Sequence, residues 1–255
     1  MNGTLAVTWW GHSSLTVELG DVRVALDPLL VDRLGHLRRR GAPPPQVACD
    51  ADVVLVSHQH ADHLHLPSLR RFGPDITVVG PRGAERLLAR VGAAEVRTVG
   101  PGDEIEVRGV RLQVLPASHP GGRHLLARGG GEAIGFRVEA AGRSCWYPGD
   151  TGLRDDMADV PPVDLAVVPV GGWGPTLGPS HLSPETAADA VRRVGARHAV
   201  PVHWGTFWPV GLQRVAPGNH QHRFVSPGLR FVAALDRPGD PRPVLAAHGQ
   251  RVGLA

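Results

Sequence analysis

The stretch Ser57-His58-Gln59-His60-Ala61-Asp62-His63 follows directly on a short apolar run, Asp52-Val53-Val54-Leu55-Val56. The run is rich in β-branched residues, which predicts a buried strand. The stretch would then form the loop at the end of that strand, where side chains are held by a rigid scaffold and still face a cleft. Three imidazoles and one carboxylate within six residues suit zinc and its first-row neighbours. The sequence therefore predicts a metal site on this loop, with a surface loop that is merely rich in histidine as the alternative.

Three further metal-binding side chains follow strand-like runs later in the chain. His119 comes after Leu115-Pro116-Ala117-Ser118, Asp150 after Cys145-Trp146-Tyr147-Pro148-Gly149, and His203 after Ala199-Val200-Pro201-Val202. These partners downstream disfavour the alternative of a surface loop that is merely rich in histidine.

The ordered pattern His58-x-His60-x-Asp62-His63, then His119, Asp150 and His203, resembles the signature of the metallo-β-lactamase superfamily over about residues 4–210. The resemblance implies an α/β fold, the αββα sandwich of two mixed β-sheets flanked by helices. Short strand-like runs with interspersed helix-like segments are typical of such packed layers. We expect residues 1–255 to form a single hydrolase domain.

The resemblance also implies a ligand set for two divalent metal ions. One ion would be bound by His58, His60 and His119, the other by Asp62, His63 and His203, with Asp150 bridging them. Zinc is favoured, and Mn²⁺ or Fe²⁺ are alternatives, because imidazole and carboxylate accept all three. A metal-bound hydroxide would serve as the nucleophile.

Two motifs point to one branch of the superfamily. His181-Leu182-Ser183-Pro184-Glu185 and Val202-His203-Trp204-Gly205-Thr206-Phe207, together with the run before His119, resemble the branch that contains L-ascorbate-6-phosphate lactonase and N-acyl phosphatidylethanolamine phospholipase D. This implies hydrolysis of a lactone, ester or phosphodiester in a small, anionic substrate. Asp62 and His181 are the predicted catalytic residues. His181 would contact the substrate or protonate the leaving group, or it is a helix-start histidine without a catalytic role.

Departures from related patterns narrow the chemistry. The bridging position holds Asp150 instead of the cysteine of many true β-lactamases, and Cys145 lies five residues earlier. His60 stands where the related diiron flavoproteins have glutamate, which argues against reduction of oxygen or nitric oxide. A nuclease of the same fold and a non-catalytic metal-binding or interaction protein are the remaining alternatives.

Four residues are candidates for substrate contact: His12, Arg123, His124 and Trp173. His12 lies in Gly11-His12-Ser13-Ser14, and the two middle residues lie in a glycine-rich loop after His119. Arginine there would suit an anionic group. A turn histidine and a solvated loop are the alternatives. Asp27, before Pro28, either orients a metal ligand or is a turn residue.

Composition favours a soluble globular protein. The 255 residues are 42% hydrophobic and 20% charged, as is usual for globular proteins. A net charge of +3 gives little support to a nucleic-acid partner. We expect no membrane span, no disulfide framework from the two cysteines and no signal peptide, hence a cytoplasmic location. A homo-oligomer is compatible with the sequence.

Two weakly patterned regions carry local predictions. Residues 31–50, rich in Arg, Gly and Pro, are expected to form a long loop over the cleft. After about residue 210 the sequence predicts one strand, at Leu229 to Leu235.

Overall fold

A computed structural model describes residues 3–123, 131–172 and 178–255. Two seven-stranded mixed sheets pack face to face. The first sheet has the order β17 (Arg251–Leu254), β1 (Leu5–Gly11), β2 (Ser14–Leu19), β3 (Val22–Leu26), β6 (Val53–Leu55), β7 (Thr77–Pro81) and β8 (Glu95–Val99). The second has the order β16 (Arg242–Pro243), β14 (His198–Val202), β13 (Leu165–Pro169), β12 (Arg143–Tyr147), β11 (Ile134–Ala140), β10 (Val110–Pro116) and β9 (Glu104–Val107).

The described residues contain six helices. They are α1 (Leu66–Leu69), α2 (Glu85–Leu88), α3 (Pro184–Val194), α4 (Leu212–Val215), α5 (Pro217–His220) and α6 (Pro227–Ala234), with 3₁₀ turns at Gln46–Cys49 and Asp155–Asp159 and a π turn at Gln221–Val225. The predicted αββα sandwich is confirmed. Helices α1 and α2 cover the outer face of the first sheet, and α3 and α6 cover that of the second.

Strand β6 explains how the signature loop is anchored. Its alternate residues Val53 and Leu55 face the core between the sheets, while Val54 and Val56 face the core under α1 and α2. All four side chains are buried, as expected for a strand covered on both faces.

Strand directions bring the predicted ligands to one edge of the sandwich. Strands β12, β13 and β14 run parallel, and β10 is antiparallel to β11, which is antiparallel to β12. Strands β10, β12 and β14 therefore end at the same edge of the second sheet, where loops of an α/β sheet form crevices. The residues that follow them include His119, Asp150 and His203.

Residues with typical capping roles set both ends of helix α3. The Ser183 hydroxyl accepts a hydrogen bond from the Thr186 amide at 3.2 Å, and Pro184 takes the first helical position. Gly195 ends the helix with φ +68°, a left-handed conformation that costs glycine little. His181 lies just before this cap.

The structure corrects two local predictions. Residues 31–50 contain β4 (Arg33–Leu34) and β5 (Leu37–Arg39), which form a small third sheet with β15 (Phe207–Pro209). The strands are too short to show periodicity, and β15 is distant in sequence. The strand predicted at 229–235 is instead helix α6, in which Phe231 packs into the core beside α3. Pro227 at its first turn is a helix-start signal that the apolar run obscured.

Among the described residues, none of the helices is both long and apolar enough to cross a bilayer. His124 and Trp173, two predicted substrate contacts, lie outside the described residues.

Candidate metal centre

Three histidines form the first cluster of ligand atoms. His58 Nε2 lies 2.9 Å from His60 Nδ1, and His119 Nε2 lies 3.2 Å from the same nitrogen. Burial is the main cause that lowers the pKa of all three imidazoles, well below the ordinary value for His58 and to about 4 for His119. Neutral imidazoles whose ring nitrogens converge on one point offer lone pairs to a cation. The first cluster therefore fits a metal ion.

Asp62, His63 and His203 form the second cluster. The Nε2 atoms of the two histidines are 3.3 Å apart. Asp62 Oδ2 lies 3.6 Å from the first of them and 3.7 Å from the second. Burial disfavours the ionised Asp62, yet the adjacent histidines hold the pKa of its carboxyl well below the usual range, so it is available as an anionic ligand.

Asp150 lies beside both clusters. Its Oδ2 is 3.4 Å from His63 Nε2 and 3.3 Å from His203 Nε2, and it groups with His119 and His181 within 4.8 Å. Its Oδ1 is buried without a hydrogen-bond partner among the described residues. A buried carboxylate oxygen without a partner is costly unless a cation compensates it. This oxygen and the converging nitrogens show that the donor set fits bound metal.

Asp27 supports the second cluster by a hydrogen bond from Nδ1 of His63, the ring nitrogen that faces away from the cluster. It is 0% exposed, and its Oδ2 accepts hydrogen bonds from His63 Nδ1 at 2.6 Å, Ser57 Oγ at 2.5 Å and the Tyr147 hydroxyl at 2.5 Å. Its Oδ1 accepts from the Ser57 amide at 2.7 Å. Because Nδ1 of His63 donates to Asp27, Nε2 is the ring nitrogen that faces the centre. Burial disfavours the charged ring, yet Asp150, Asp62 and Asp27 raise the pKa of His63 well above its ordinary value, so a bound cation would take the place of the Nε2 proton. Of the two roles open from sequence, the contacts show the orienting one.

Weaker partners orient the first cluster. His58 Nδ1 lies 3.0 Å from Ser57 Oγ, which itself donates to Asp27, and His119 Nδ1 lies 3.2 Å from the Ser180 carbonyl oxygen. Each contact assigns the proton to Nδ1 and turns Nε2 toward the cluster. Sequence reasoning missed Ser57, Ser180 and Tyr147. Only Ser57, adjacent to His58, carried a local signal.

His12 lies directly beside the second cluster. It is 4% exposed, its Nε2 lies 2.9 Å from Asp62 Oδ2, and its ring lies 4.1 Å from that of His203. Burial, followed by His203, lowers its pKa to about 4, so the neutral ring donates Nε2–H to Asp62. Its backbone, at φ +53°, is held by hydrogen bonds with Thr206 and His203. His12 thus orients a ligand of the second cluster.

His181 and Arg123 lie on other sides of the centre. His181 Nε2 is 3.8 Å from Asp150 Oδ2, its ring is 4.8 Å from that of His119, and it is partly buried. Arg123 Nη1 donates to the carbonyl oxygens of Gln59 and Leu64 at 3.0 and 2.6 Å. Arg123 therefore braces the signature loop, and its predicted contact with substrate stays a prediction.

Paired ligand clusters at the loop edge of an αββα sandwich define the class: a metal-dependent hydrolase of the metallo-β-lactamase fold. The family model described as "Beta-lactamase superfamily domain" matches residues 22–204. The chain belongs to the metallo-β-lactamase superfamily.

Curated relatives agree with this membership. A UPF0173 metal-dependent hydrolase of Methanopyrus kandleri is 32% identical over 92% of this chain and 98% of its own length. N-acyl-phosphatidylethanolamine-hydrolyzing phospholipase D 1 of Caenorhabditis elegans is 31% identical over 81% of this chain, and the match spans 65% of that relative's length.

Solved structures share the fold. A metallo hydrolase of Ignicoccus hospitalis matches with a TM-score of 0.74 at 21% identity over 99% of both chains. An isothiocyanate hydrolase from Delia radicum gut bacteria matches with a TM-score of 0.67 at 15% identity over 98% of this chain and 99% of that one.

Proposed function

We propose that the protein is a dinuclear hydrolase that cleaves an ester, lactone or phosphodiester in a small, anionic substrate. The observation that carries the proposal is the position of Asp150 Oδ2, within 3.4 Å of ligand nitrogens of the second cluster and grouped with His119 of the first. A carboxylate shared between adjacent ligand sets is typical of two-metal hydrolases.

The contacts indicate which residues would bind each ion. His58, His60 and His119 would hold one ion, Asp62, His63 and His203 the other, and Asp150 both. Bound divalent ions would supply Lewis acidity and a hydroxide nucleophile at neutral pH. The chain's own part is to fix the ligand geometry, through Asp27 behind His63 and His12 behind Asp62.

We assign the ions to zinc, with manganese or iron as alternatives. The donors are imidazole nitrogens and carboxylate oxygens, which suit zinc and also accept the other two. We place the enzyme in the cytoplasm. Cys49 and Cys145 are both buried and free, which is compatible with a reducing compartment.

His181 is our candidate for protonating the leaving group. Its Nε2 is 3.8 Å from Asp150 Oδ2, at the side of the first cluster, within reach of a group bound there. General acids of this kind contribute about 10²–10⁴-fold. A phosphodiester substrate is favoured by the name of the nematode relative, a phospholipase D that hydrolyses a phospholipid.

Replacement of His181 by Gln tests the acid role. We expect kcat to fall by about 10²-fold for esters with a poor alkoxide leaving group, and far less for p-nitrophenyl esters, whose leaving group needs no proton. Equal losses for both leaving groups, measured by steady-state kinetics, would show that His181 has a structural role only.

Metal content is the direct test of the proposed function. Protein purified without added metal or chelator should carry two ions per chain by elemental analysis, and should hydrolyse bis-p-nitrophenyl phosphate or a simple aryl lactone. Two ions without turnover of either probe would keep the dinuclear site and reject simple aryl phosphodiesters and aryl lactones as substrates. A chain that binds no metal even after reconstitution would overturn the proposal.

A further inference from the structure

A cavity of about 340 Å³ opens beside the second cluster. His12 and His203 form its inner end, and it extends outward between β15 and the helical segment that begins with α4. Because His203 Nε2 lies 3.3 Å from Asp150 Oδ2, a group bound in the cavity is adjacent to the metal centre. Its volume lies at the small end of the range typical of ligand pockets.

The outer walls of the cavity are largely apolar. Phe207, Trp208, Pro209 and Leu212 contribute them, and Trp204 lies nearer the centre. Besides the two histidines at the inner end, the polar side chains of the lining are those of His36, Thr206, Asn219 and Arg223, and Gly172 and Gly205 complete it. An apolar wall with a few polar groups is the usual composition of a site for a small organic group.

The aromatic walls are held in place from outside. Arg39 lies 4.9 Å from the centre of the Phe207 ring, and its guanidinium donates to the carbonyl oxygens of Trp10, Leu29 and Val31. The Phe207 ring also meets the His12 ring edge-on at 5.8 Å.

Trp208, on the neighbouring wall, packs edge-on against His220 at 5.1 Å and Phe224 at 5.5 Å. Walls that are already packed lose little conformational freedom when a ligand binds.

We propose that this cavity binds an apolar group of the substrate, an aryl or short alkyl substituent of the ester or phosphodiester that is cleaved. At about 30 Å³ per water-sized group, the volume accommodates on the order of ten non-hydrogen atoms. The substrate is then amphipathic, with its negative charge at the metal centre and its apolar substituent against Phe207 and Trp208. This inference rests on the proposed function.

The cavity also sets the orientation of the substrate. It adjoins the second cluster through His203, whereas His181 lies beside His119 of the first. The apolar substituent is therefore retained at one end of the centre, and the departing group leaves at the other, beside the candidate proton donor.

Binding of phosphonates tests the inference without turnover. Metal-loaded protein would be titrated with methyl-, butyl- and phenylphosphonate by calorimetry and by tryptophan fluorescence, since Trp204 and Trp208 line the cavity. We expect phenylphosphonate to bind at least about tenfold more tightly than methylphosphonate, because burial of about 60 Å² of apolar surface suffices for that factor. A more negative heat-capacity change should accompany it. Equal affinity of the three ligands would overturn the inference.

Paired variants on helix α4 locate the effect. Leu212→Trp, at the cavity wall, should bring the phenyl-to-methyl affinity ratio close to one. Val215→Trp, on the same helix but 79% exposed and outside the cavity lining, should keep the ratio of the unaltered protein. If both variants change the ratio equally, the cavity is not the binding site.

A third variant keeps the test decisive if the indole introduced by Leu212→Trp turns toward solvent. Trp208→Ala enlarges the cavity and should improve binding of naphthylphosphonate relative to phenylphosphonate by several-fold. Circular dichroism and metal content would verify folding of each variant, and an unchanged naphthyl-to-phenyl ratio in folded Trp208→Ala would count against the cavity.

Failure of the inference and failure of the proposed function give different results. Hydrolysis of p-nitrophenyl methyl and p-nitrophenyl phenyl phosphodiesters with equal kcat/KM, by protein carrying two metal ions, would leave the function and reject the cavity. Selective phosphonate binding without hydrolysis of any ester would leave the cavity and reject the function.

Discussion

The two ligand clusters share a loop but are supported differently. The first consists of neutral imidazoles, two of which, His60 and His119, are partly exposed, and its supports are a serine hydroxyl and a backbone carbonyl. The second includes the carboxylate of Asp62, and its supports are the buried Asp27 and His12. Hydrogen bonds that involve a charged partner are roughly twice as strong as neutral ones. The second cluster is therefore the more firmly prearranged, and the first the more accessible.

This difference suits the two clusters to different roles in the proposed reaction. Burial with carboxylate partners fixes ligand orientation, which favours retention of a metal ion. Neutral ligands with solvent access leave more positive charge on an ion and more room for an exchangeable ligand. His181 lies beside the accessible cluster and the proposed apolar cavity beside the firm one.

Loss of Asp150 should have the largest effect, because it is shared. Asp150→Ala is expected to lower metal content from two ions to one or fewer per chain, and to reduce kcat/KM by at least about 10³-fold. Elemental analysis and steady-state kinetics measure both. Asp156→Ala is the matched control, since Asp156 pairs with Arg154 away from the centre. Retention of two ions in Asp150→Ala would refute the shared-ligand assignment.

Asp27→Asn should weaken the second cluster selectively. An amide cannot accept all the hydrogen bonds that the carboxylate takes from His63, Ser57 and Tyr147, so His63 loses its fixed orientation. We expect metal affinity at one of the two sites to fall by about 10–100-fold, measured by competition with a chelator. Tyr147→Phe, which removes a single bond to Asp27, should have a smaller effect. Equal weakening of both metal sites would contradict the separation of the clusters.

His12→Phe should remove the donor that orients Asp62. The expected loss is about tenfold in the affinity of the more tightly held ion. His12→Gln keeps an N–H donor and should recover part of this affinity, which a purely structural role of the ring would not predict. No difference between the Phe and Gln variants would argue against the hydrogen bond as the cause.

Ser57→Ala should have the smallest effect. The Ser57 side chain links the two clusters. The hydroxyl contacts both His58 Nδ1 and Asp27 Oδ2. A few-fold loss of affinity at both sites is expected, because each cluster loses one support and Asp27 keeps its hydrogen bonds from His63, Tyr147 and the Ser57 amide. Chelator competition would detect it, with Ser14→Ala as a comparison, because among the described residues the Ser14 hydroxyl bonds the backbone of Asp27 and Leu29 and no ligand side chain. A loss confined to one site would show that the supports are independent.

The sequence predicted what depends on local pattern. The apolar run before the signature loop forms the buried strand that its β-branched residues predicted. All seven predicted ligands meet at one centre, because strand order and direction bring their loops together.

The remaining features depend on contacts between distant segments. His12 meets Asp62 across 50 residues and Tyr147 meets Asp27 across 120, and no local periodicity records such pairs. The small sheet escaped prediction for the same reason. Arg123, a predicted substrate contact, also binds the carbonyl oxygens of Gln59 and Leu64, and such main-chain acceptors have no signature in the side-chain sequence.

The order of the ligands along the chain determines which cluster can form first during synthesis. His203 follows His119 by 84 residues, from 203 minus 119, which at about 5–20 residues per second is about 4–17 s of translation. The first cluster's side chains thus all exist before the last one of the second is made. The His203 amide also donates to the His12 carbonyl oxygen. His12, near the amino-terminal end, therefore gains this contact, and the second cluster its last ligand, only after residue 203 has been synthesised.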